Sequence, residues 1–235
     1  MAVPVKLSTF RGKIIAIDGP AGSGKSTTAK ALANRLGFTY LDTGAMYRAV
    51  ALFALRHGVS AEDANALGQI AAKINIEFRN PSGEDQRVFL NDEDVSELIR
   101  SPEVTAASSA MAVHPQVRSI LVRRQQEMGA KGSLVVEGRD TTSVVFPRAD
   151  LKVYLDADME VRAQRRFLEM LHRGERTTLE EQIELLKARD TNDSTRSTSP
   201  LSRVKDAVVV DTTGLTIEQQ VETIIQIARA QFSRK

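Results

Sequence analysis

The amino-acid sequence predicts an α/β fold, with a five-stranded, mostly parallel sheet covered by helices and a small antiparallel β insert. Three observations lead to this prediction. Five short apolar segments of strand length alternate with segments in which apolar residues recur at helical spacing. A glycine-rich loop separates the first strand from the first helix. Two further segments, residues 73–100 and 173–203, interrupt the alternation.

Hydrophobic patterning places the individual elements. Buried strands are predicted at 13–18, 38–42, 133–137, 151–156 and 206–211. The first helix covers residues 25–36, because Ala29, Leu32 and Leu36 recur at helical spacing and Gly37 follows as a C-cap. Further helices are predicted at about 44–56, 158–172, 178–189 and 216–232. The first two strands and their connecting helix form a β-α-β unit.

The two interrupting segments have different characters. Residues 73–100 alternate apolar and polar side chains around the turn signal Asn80-Pro81-Ser82-Gly83, which predicts an antiparallel hairpin. Residues 173–203 are polar and rich in arginine, which is typical of a mobile surface segment. We therefore expect an inserted β subdomain and a mobile segment beside the main sheet.

Composition excludes several classes of protein. The formal net charge of the 235 residues is +2, which disfavours a surface built as a whole to bind nucleic acid or membrane. The absence of cysteine excludes disulfides, thiolate nucleophiles and cysteine-ligated metals. Residues 1–18 show no secretion signal and no window is apolar enough to span a membrane, so a cytoplasmic protein is expected.

The glycine-rich loop carries the strongest motif. Residues 19–26, GPAGSGKS, match G-x-x-x-x-G-K-[ST] between a predicted strand and a predicted helix. Glycines let successive N–H groups point into one concavity at the positive end of a helix dipole, where a triphosphate binds. We expect Lys25 to reach the β and γ phosphates and the Ser26 hydroxyl to bind Mg²⁺. The alternative is a glycine-rich turn that only caps a helix. The predicted ATP-binding residues are Gly19, Pro20, Ala21, Gly22, Ser23, Gly24, Lys25, Ser26 and Thr27.

Other features narrow the class of nucleotide-binding protein. A GTPase needs the base-reading motif N-K-x-D, which is absent, and the D-x-x-G match that follows the loop, residues 211–214, lies close to the C-terminus. A motor or transporter ATPase would need a longer chain. A kinase of a small metabolite remains.

Polar residues that follow the second strand are suited to bind the acceptor of the phosphoryl group in such a kinase. Asp42 and Thr43 lie at the carboxyl end of that strand, where ligands of open α/β sheets bind. Arg48 follows one helical turn later, and its guanidinium can bind a phosphate through two hydrogen bonds. The alternative for Arg48 is a solvated charge on a helix face.

The third strand ends in a similar way, in the segment VVEGRD at 135–140. Glu137 is placed to hold Mg²⁺ through water. Arg139 is expected to meet an acceptor phosphate, and Asp140 to accept a hydrogen bond from the exocyclic amine of a base. A charged strand-to-loop junction without these roles is the alternative.

Together these motifs resemble the bacterial cytidylate kinases, which are nucleoside monophosphate kinases. The matching stretches, in the order of the family, are IAIDGPAGSGKST, LDTGAMYR, EGRD…VVFP, KVYLDA, RD…DS.R…SPL…DA and VVVDTT. The similarity covers about residues 13–230, whereas adenylate and thymidylate kinases share chiefly the P-loop architecture. The resemblance implies transfer of a phosphoryl group from ATP-Mg to CMP or dCMP, which gives ADP and CDP or dCDP.

The resemblance also implies the P-loop nucleoside monophosphate kinase fold, as a single kinase unit with three parts. A core comprises about 13–42, 115–160 and 204–232, a monophosphate-binding subdomain with the insert comprises about 43–114, and a lid comprises about 161–203.

Roles for individual residues follow from the resemblance. Residues implied to be catalytic are Lys25, Arg139, Arg189 and Arg196. Residues implied to contact the phosphate or sugar of the acceptor are Arg48, Arg139, Arg189, Asp193 and Arg196, with Thr43 beside them. The cytosine-reading set is Ser108, Arg118 and Asp140. The implied metal ligands are Ser26 and Glu137. Candidates for lid contacts with ATP are Arg162, Arg166 and Arg176.

One stretch departs from the family pattern. Where the family commonly has GRDIGTVVFP, this chain has GRDTTSVVFP, with Thr141 and Thr142 in place of Ile-Gly. The loss of the glycine is expected to restrict the backbone beside Asp140 and to alter the base pocket slightly.

The acceptor phosphate is already an anion, so no general base is required. His57, His114 and His172 are therefore expected to be structural. We expect a monomer that acts on small molecules, without nucleic acid or membrane partners. The alternatives are a kinase of another monophosphate such as UMP and a non-catalytic nucleotide sensor, against which the intact loop and arginines argue.

Overall fold

The computed structural model of the protein describes residues 10–80 and 86–233. In chain order the elements are β1 (Ile14–Asp18), α1 (Lys25–Leu36), β2 (Thr39–Asp42), α2 (Thr43–Arg56), α3 (Ala64–Lys73), β3 (Ile76–Arg79), β4 (Arg87–Leu90), β5 (Glu93–Asp94), α4 (Pro102–Met111), α5 (Pro115–Met128), β6 (Leu134–Gly138), β7 (Leu151–Asp156), α6 (Met159–His172), α7 (Leu179–Thr195), β8 (Val208–Asp211) and α8 (Ile217–Phe232). Residues 1–9 of the N-terminal segment and most of the predicted turn at 80–83 lie outside the described residues.

The chain forms two compact units. One runs to Tyr40 and resumes at Gly129, and the other comprises Leu41–Met128. No helix among the described residues is both long enough and apolar enough to cross a membrane.

The first unit is built on the main sheet. Its five strands lie in the order β2-β6-β1-β7-β8, which confirms the predicted five-stranded parallel sheet. β1 pairs in parallel with β6 and β7, so that Asp18 lies opposite both Gly138 and Tyr154. Helices α1 and α8 pack together over a core that includes Ile17, Leu32 and Ile224. The register brings the carboxyl ends of the three central strands to one edge, where the glycine-rich loop begins.

The second unit contains the small antiparallel insert, which is confirmed as a three-stranded sheet in the order β3-β4-β5. In this unit α2 packs against α4, and α3 packs against α5. The sequence pattern did not predict α3, α4 or α5. α4 is composed mainly of small residues and α5 mainly of polar ones, so neither has a strong apolar stripe.

The structure also corrects the predicted end of α7. A capping box at Thr178 and Glu181 begins the helix, but the helix continues to Thr195 rather than ending at 189. The added turns hold Asp190 and Asp193, which bind arginines. The buried side chain of these added turns, Asp193, is polar, so apolar periodicity could not reveal that the helix continues.

Candidate active site

The glycine-rich loop leaves β1 in a conformation that requires glycine. Gly19 has a φ of 154°, and a Cβ atom there would collide with the carbonyl oxygen of Leu155. Gly24, with a φ of 90°, is the N-cap of α1. The first turn of α1 carries Lys25 and no acidic residue. The positive end of the helix dipole is therefore suited to an anion.

Lys25 is buried at the base of this loop. Its Nζ donates to the carbonyl oxygen of Pro20 at 2.6 Å, and only 5% of the residue is exposed. Burial, and after it the charge of Arg139, lower the pKa of Lys25 to about 7, although Glu137 opposes this shift. A phosphate bound beside the ammonium group would restore its preference for the charged form.

Ser26 and Glu137 come together from distant parts of the chain. The Ser26 hydroxyl donates to Oε1 of Glu137 at 2.7 Å, and Glu137 is buried on β6. Within 10–80 and 86–233, no group of three or more His, Cys, Asp or Glu side chains could hold a metal. One hydroxyl beside one carboxylate fits Mg²⁺, which takes its remaining ligands from water and from substrate phosphates.

Three arginines surround Asp193. Arg139 donates from Nε to Oδ2 of Asp193 at 2.8 Å, while Arg189 lies 4.0 Å and Arg196 3.7 Å from the same carboxylate. Nη2 of Arg196 is also 4.0 Å from Oδ1 of Asp140. Burial raises the pKa of Asp193, but Arg139 and Arg189 outweigh it and hold this pKa below its usual value. The structure thus gathers the predicted residues of α7 and of the β6 end into one cluster.

The second unit holds the residues predicted after β2. Asp42 caps α2 by accepting from the N–H of Ala45 at 2.9 Å, and it accepts from Nη2 of Arg48 at 2.8 Å. Thr43 is buried at the start of the same helix. The Arg48 side chain is 16% exposed, so it is not a solvated charge on a helix face. Within the described part of the chain, its buried Nε has no hydrogen-bond partner.

Two predicted base-reading residues also lie in the second unit. Arg118 on α5 is 3% exposed, donates from Nη1 to the carbonyl oxygen of Ala112 at 3.2 Å, and lies over the Tyr47 ring at 5.5 Å. Ser108 on α4 is buried and donates to the carbonyl oxygen of Thr105 at 2.9 Å. Asp140, the third member of the set, belongs to the first unit.

Sequence reasoning missed two acidic residues, one directly before the loop and one in contact with it. Asp18 ends β1 and is fully buried. Asp190 on α7 accepts from the N–H of Ala21 at 3.1 Å and from Nη1 of Arg162 at 2.6 Å. The position of Asp18 at a strand end and that of Asp190 directly after Arg189 were the available signals.

The three lid candidates have different surroundings. Arg162 is buried and also donates to the carbonyl oxygen of Ala21 at 2.9 Å, so it contacts the loop backbone. Arg166 pairs with Glu169 on its own helix, and Arg176 is exposed between α6 and α7.

Two of the three histidines contact backbone carbonyl groups. Nδ1 of His57 lies 2.8 Å from the carbonyl oxygen of Phe53, and Nε2 of His114 lies 2.7 Å from that of Ala61. His172 lies in the last turn of α6.

The chain is similar over most of its length to proteins of one family. A sequence model of the family described as cytidylate kinase matches residues 15–230. The chain is 46% identical over 213 residues to a cytidylate kinase of Carboxydothermus hydrogenoformans, which covers 91% of this chain and 96% of that protein. It is 49% identical over 210 residues to a cytidylate kinase of Streptococcus pneumoniae, with 89% and 94% covered. A solved structure of an uncharacterized protein from Eubacterium ventriosum has a TM-score of 0.51 at 13% identity, covering 94% of this chain and 99% of that one, which supports the fold alone.

Proposed function

The chain belongs to the cytidylate kinase family, and from this we propose that it transfers the γ-phosphoryl group of ATP to CMP or dCMP. The products are ADP and CDP or dCDP. Membership also confirms the resemblance that the sequence motifs indicated.

One observation carries the catalytic part of the proposal. Lys25 is buried at the N-terminus of α1, and the charges of Arg139 and Arg189 lower its pKa. The same two arginines lie against the carboxylate of Asp193. Positive groups held in a buried site, where the dielectric constant is low, stabilise charge that spreads over a transferring phosphoryl group. The arrangement supports phosphoryl transfer by electrostatics and alignment.

Ser26 and Glu137 are the residues that would hold Mg²⁺. When bound, the ion neutralises charge on the phosphates of ATP. The short hydrogen bond between the two side chains supports this assignment because it keeps both oxygens on the same side of the loop.

The remaining residues bind and align the two nucleotides. The N–H groups of the loop and Lys25 hold the phosphates of ATP. Arg48, Arg139 and Arg196 bind the phosphate or sugar of the acceptor, and Arg189 and Asp193 bind the ribose hydroxyls. No side chain has to remove a proton, because the attacking phosphate oxygen is already ionised.

We assign selection of the base to Ser108, Arg118 and Asp140, with Thr43 beside the acceptor. The burial of Ser108 and Arg118 supports this role, because polar groups of fixed orientation can discriminate between bases. We also propose that the protein acts as a cytoplasmic monomer in pyrimidine nucleotide metabolism, without nucleic acid or membrane partners.

A coupled assay of ADP release tests the proposal. ATP-Mg²⁺ is offered with CMP, dCMP, UMP, AMP or dTMP, and without an acceptor. We expect turnover with CMP and dCMP to exceed that with the other acceptors. If another acceptor is preferred, the protein is still a kinase but the assignment of cytosine as its base is wrong. If no ADP release depends on an acceptor, the protein is a nucleotide sensor.

A further inference from the structure

A buried carboxylate connects two parts of the candidate site. Asp18 is the last residue of β1 and directly precedes Gly19, the first residue of the phosphate-binding loop. Its side chain has no exposed surface, and the proposed reaction gives it no role. A charged group in such a position needs several hydrogen-bond donors.

Thr141 and Thr142 supply those donors. Oδ1 of Asp18 accepts from the N–H of Thr141 at 2.9 Å and from its hydroxyl at 2.7 Å. Oδ2 accepts from the N–H of Thr142 at 2.8 Å and from its hydroxyl at 2.6 Å. Both threonines are buried. Two of the four bonds come from hydroxyl groups, which isoleucine and glycine at these positions would lack.

The backbone that these bonds fix continues directly into Arg139 and Asp140. Thr141–Val145 form one turn of π-helix, and the carbonyl oxygen of Asp140 accepts from the N–H groups of Val144 and Val145 at 2.9 and 3.1 Å. Among the described residues, the non-glycine residues with positive φ are Asn91, Asp92, Ser133 and Ser199. Thr142 is therefore in an ordinary conformation, and its side chain adds a bond without backbone strain.

We propose that Thr141 and Thr142 are positioning residues for the acceptor nucleotide, which they serve by tying Arg139 and Asp140 to the start of the phosphate-binding loop through Asp18. The inference rests on the proposed function. Its physical basis is that Arg139 and Asp140 directly precede the anchored threonines in the chain, while Asp18 is bonded directly to Gly19. Misplacement of a substrate-aligning group by about 1 Å can cost a factor of about 100 in rate.

The loop itself has supports that do not involve the threonines. Asp190 and Arg162 hydrogen-bond the backbone of Ala21, and the hydroxyl of Thr212 donates to the carbonyl oxygen of Ser23 at 3.0 Å. Loss of the threonine hydroxyls should therefore affect the acceptor more than ATP. This difference separates positioning from a general contribution to stability.

The test compares a Thr141→Val/Thr142→Val enzyme with a Thr141→Ser/Thr142→Ser enzyme. Valine keeps the branched shape without the hydroxyl, whereas serine keeps the hydroxyl. Thr223→Val, which removes a hydroxyl from α8, is the matched control. Steady-state kinetics give KM for CMP, UMP and ATP, and calorimetry gives the dissociation constant of CMP.

In the valine enzyme we expect KM and the dissociation constant for CMP to rise about tenfold, and the preference for CMP over UMP to fall. KM for ATP should stay within about twofold. The serine enzyme and the Thr223 control should match the wild type.

Unchanged CMP binding in a folded valine enzyme would overturn the inference, as would equal increases in KM for ATP and CMP. If the double valine enzyme does not fold, each single valine variant is compared with its serine counterpart by the same criteria. If the wild type releases ADP with CMP and the valine enzyme binds CMP as the wild type does, this inference is overturned but the proposed function stands. A wild type without CMP-dependent ADP release overturns the proposed function, and the inference falls with it.

Discussion

The hydroxyl of Ser26 donates a 2.7 Å hydrogen bond to Oε1 of Glu137, although 111 positions separate the two residues along the chain. Ser26 lies in the first turn of α1 and Glu137 lies on β6. The fold thus places the hydroxyl of the phosphate-binding loop beside a buried carboxylate, and these two oxygens form the proposed magnesium site.

Glu137→Gln should therefore weaken the use of Mg²⁺. Glutamine keeps an oxygen that can accept from Ser26, but it removes the negative charge. We expect the Mg²⁺ concentration for half-maximal activity to rise by about 10- to 100-fold. A titration of ADP release against Mg²⁺ measures this, with Glu222→Gln on α8 as the control. An unchanged titration curve would remove Glu137 from the metal site.

The lowered pKa of Lys25 predicts an unusual dependence of stability on pH. The unfolded chain holds this proton up to an ordinary pKa of 10.5, whereas the folded protein releases it at about 7. Between these values the unfolded state binds more protons, so the free energy of unfolding should rise with pH. Below about pH 7 both states are protonated, and the cost of the buried charge is complete.

Lys25→Met isolates this effect. The variant should lose turnover by orders of magnitude, yet its nucleotide-free form should melt at a higher temperature than the wild type at about pH 7. The difference should shrink towards about pH 9. Thermal melts across this range test the prediction, with exposed Lys73→Met as the control. Parallel profiles for wild type and Lys25→Met would contradict it.

Asp193→Asn should destabilise the arginine cluster. Arg139, Arg189 and Arg196 would lose the carboxylate that they share, at a cost of about 3 kcal/mol in the free energy of unfolding. The folded pKa of Asp193 is depressed, so this stabilisation is present above its unfolded value and is lost as pH falls through the folded value. Wild type and variant should therefore differ at neutral pH, begin to converge only as the pH falls below about 3.9, the ordinary pKa of an aspartate, and become equal once the pH is below the depressed folded pKa.

Urea denaturation at the two pH values measures the difference. Glu180→Gln, which removes an exposed carboxylate from the same helix, should leave the free energy of unfolding nearly unchanged. If Asp193→Asn and Glu180→Gln lower the free energy of unfolding equally, Asp193 contributes only through the net charge of the protein and not through the arginine cluster.

Asp140→Ala should reduce discrimination between bases. A carboxylate can accept a hydrogen bond from the exocyclic amine of cytosine, whereas uracil carries a carbonyl group at that position. We expect the ratio of kcat/KM for CMP to that for UMP to fall about tenfold. Arg48→Lys is the comparison, because a phosphate contact should affect both nucleotides equally. An unchanged ratio in Asp140→Ala would exclude this residue from base selection.

Asp190→Asn should act on the donor side. Asp190 accepts from the N–H of Ala21 and from Arg162, so loss of its charge should loosen the loop backbone. We expect KM for ATP to rise several-fold while KM for CMP changes little. Steady-state kinetics measure both, with Glu180→Gln as the control from the same helix. A rise confined to CMP would contradict this role.

The amino-acid sequence by itself determined the parts of the protein that are local. The apolar strand β1, the loop at 19–26 and the apolar face of α1 are contiguous, so glycine positions and periodicity were sufficient to predict them. Helices without an apolar stripe, such as α5, and the polar end of α7 carry no such signal. They form because tertiary packing and charge pairs stabilise them.

Only the tertiary structure decided which distant side chains meet. Arg139 and Asp193 are 54 positions apart and Asp18 and Thr142 are 124 positions apart, and no local pattern encodes either pair. The parallel sheet brings the ends of β1 and β6 to one edge, and α7 contributes Asp193 to the residues at that edge. In the sequence, Thr141 and Thr142 are noticeable only because they replace the Ile-Gly pair that is common in the family. The fold gives them a function, because it places a buried carboxylate within hydrogen-bonding distance of both hydroxyls.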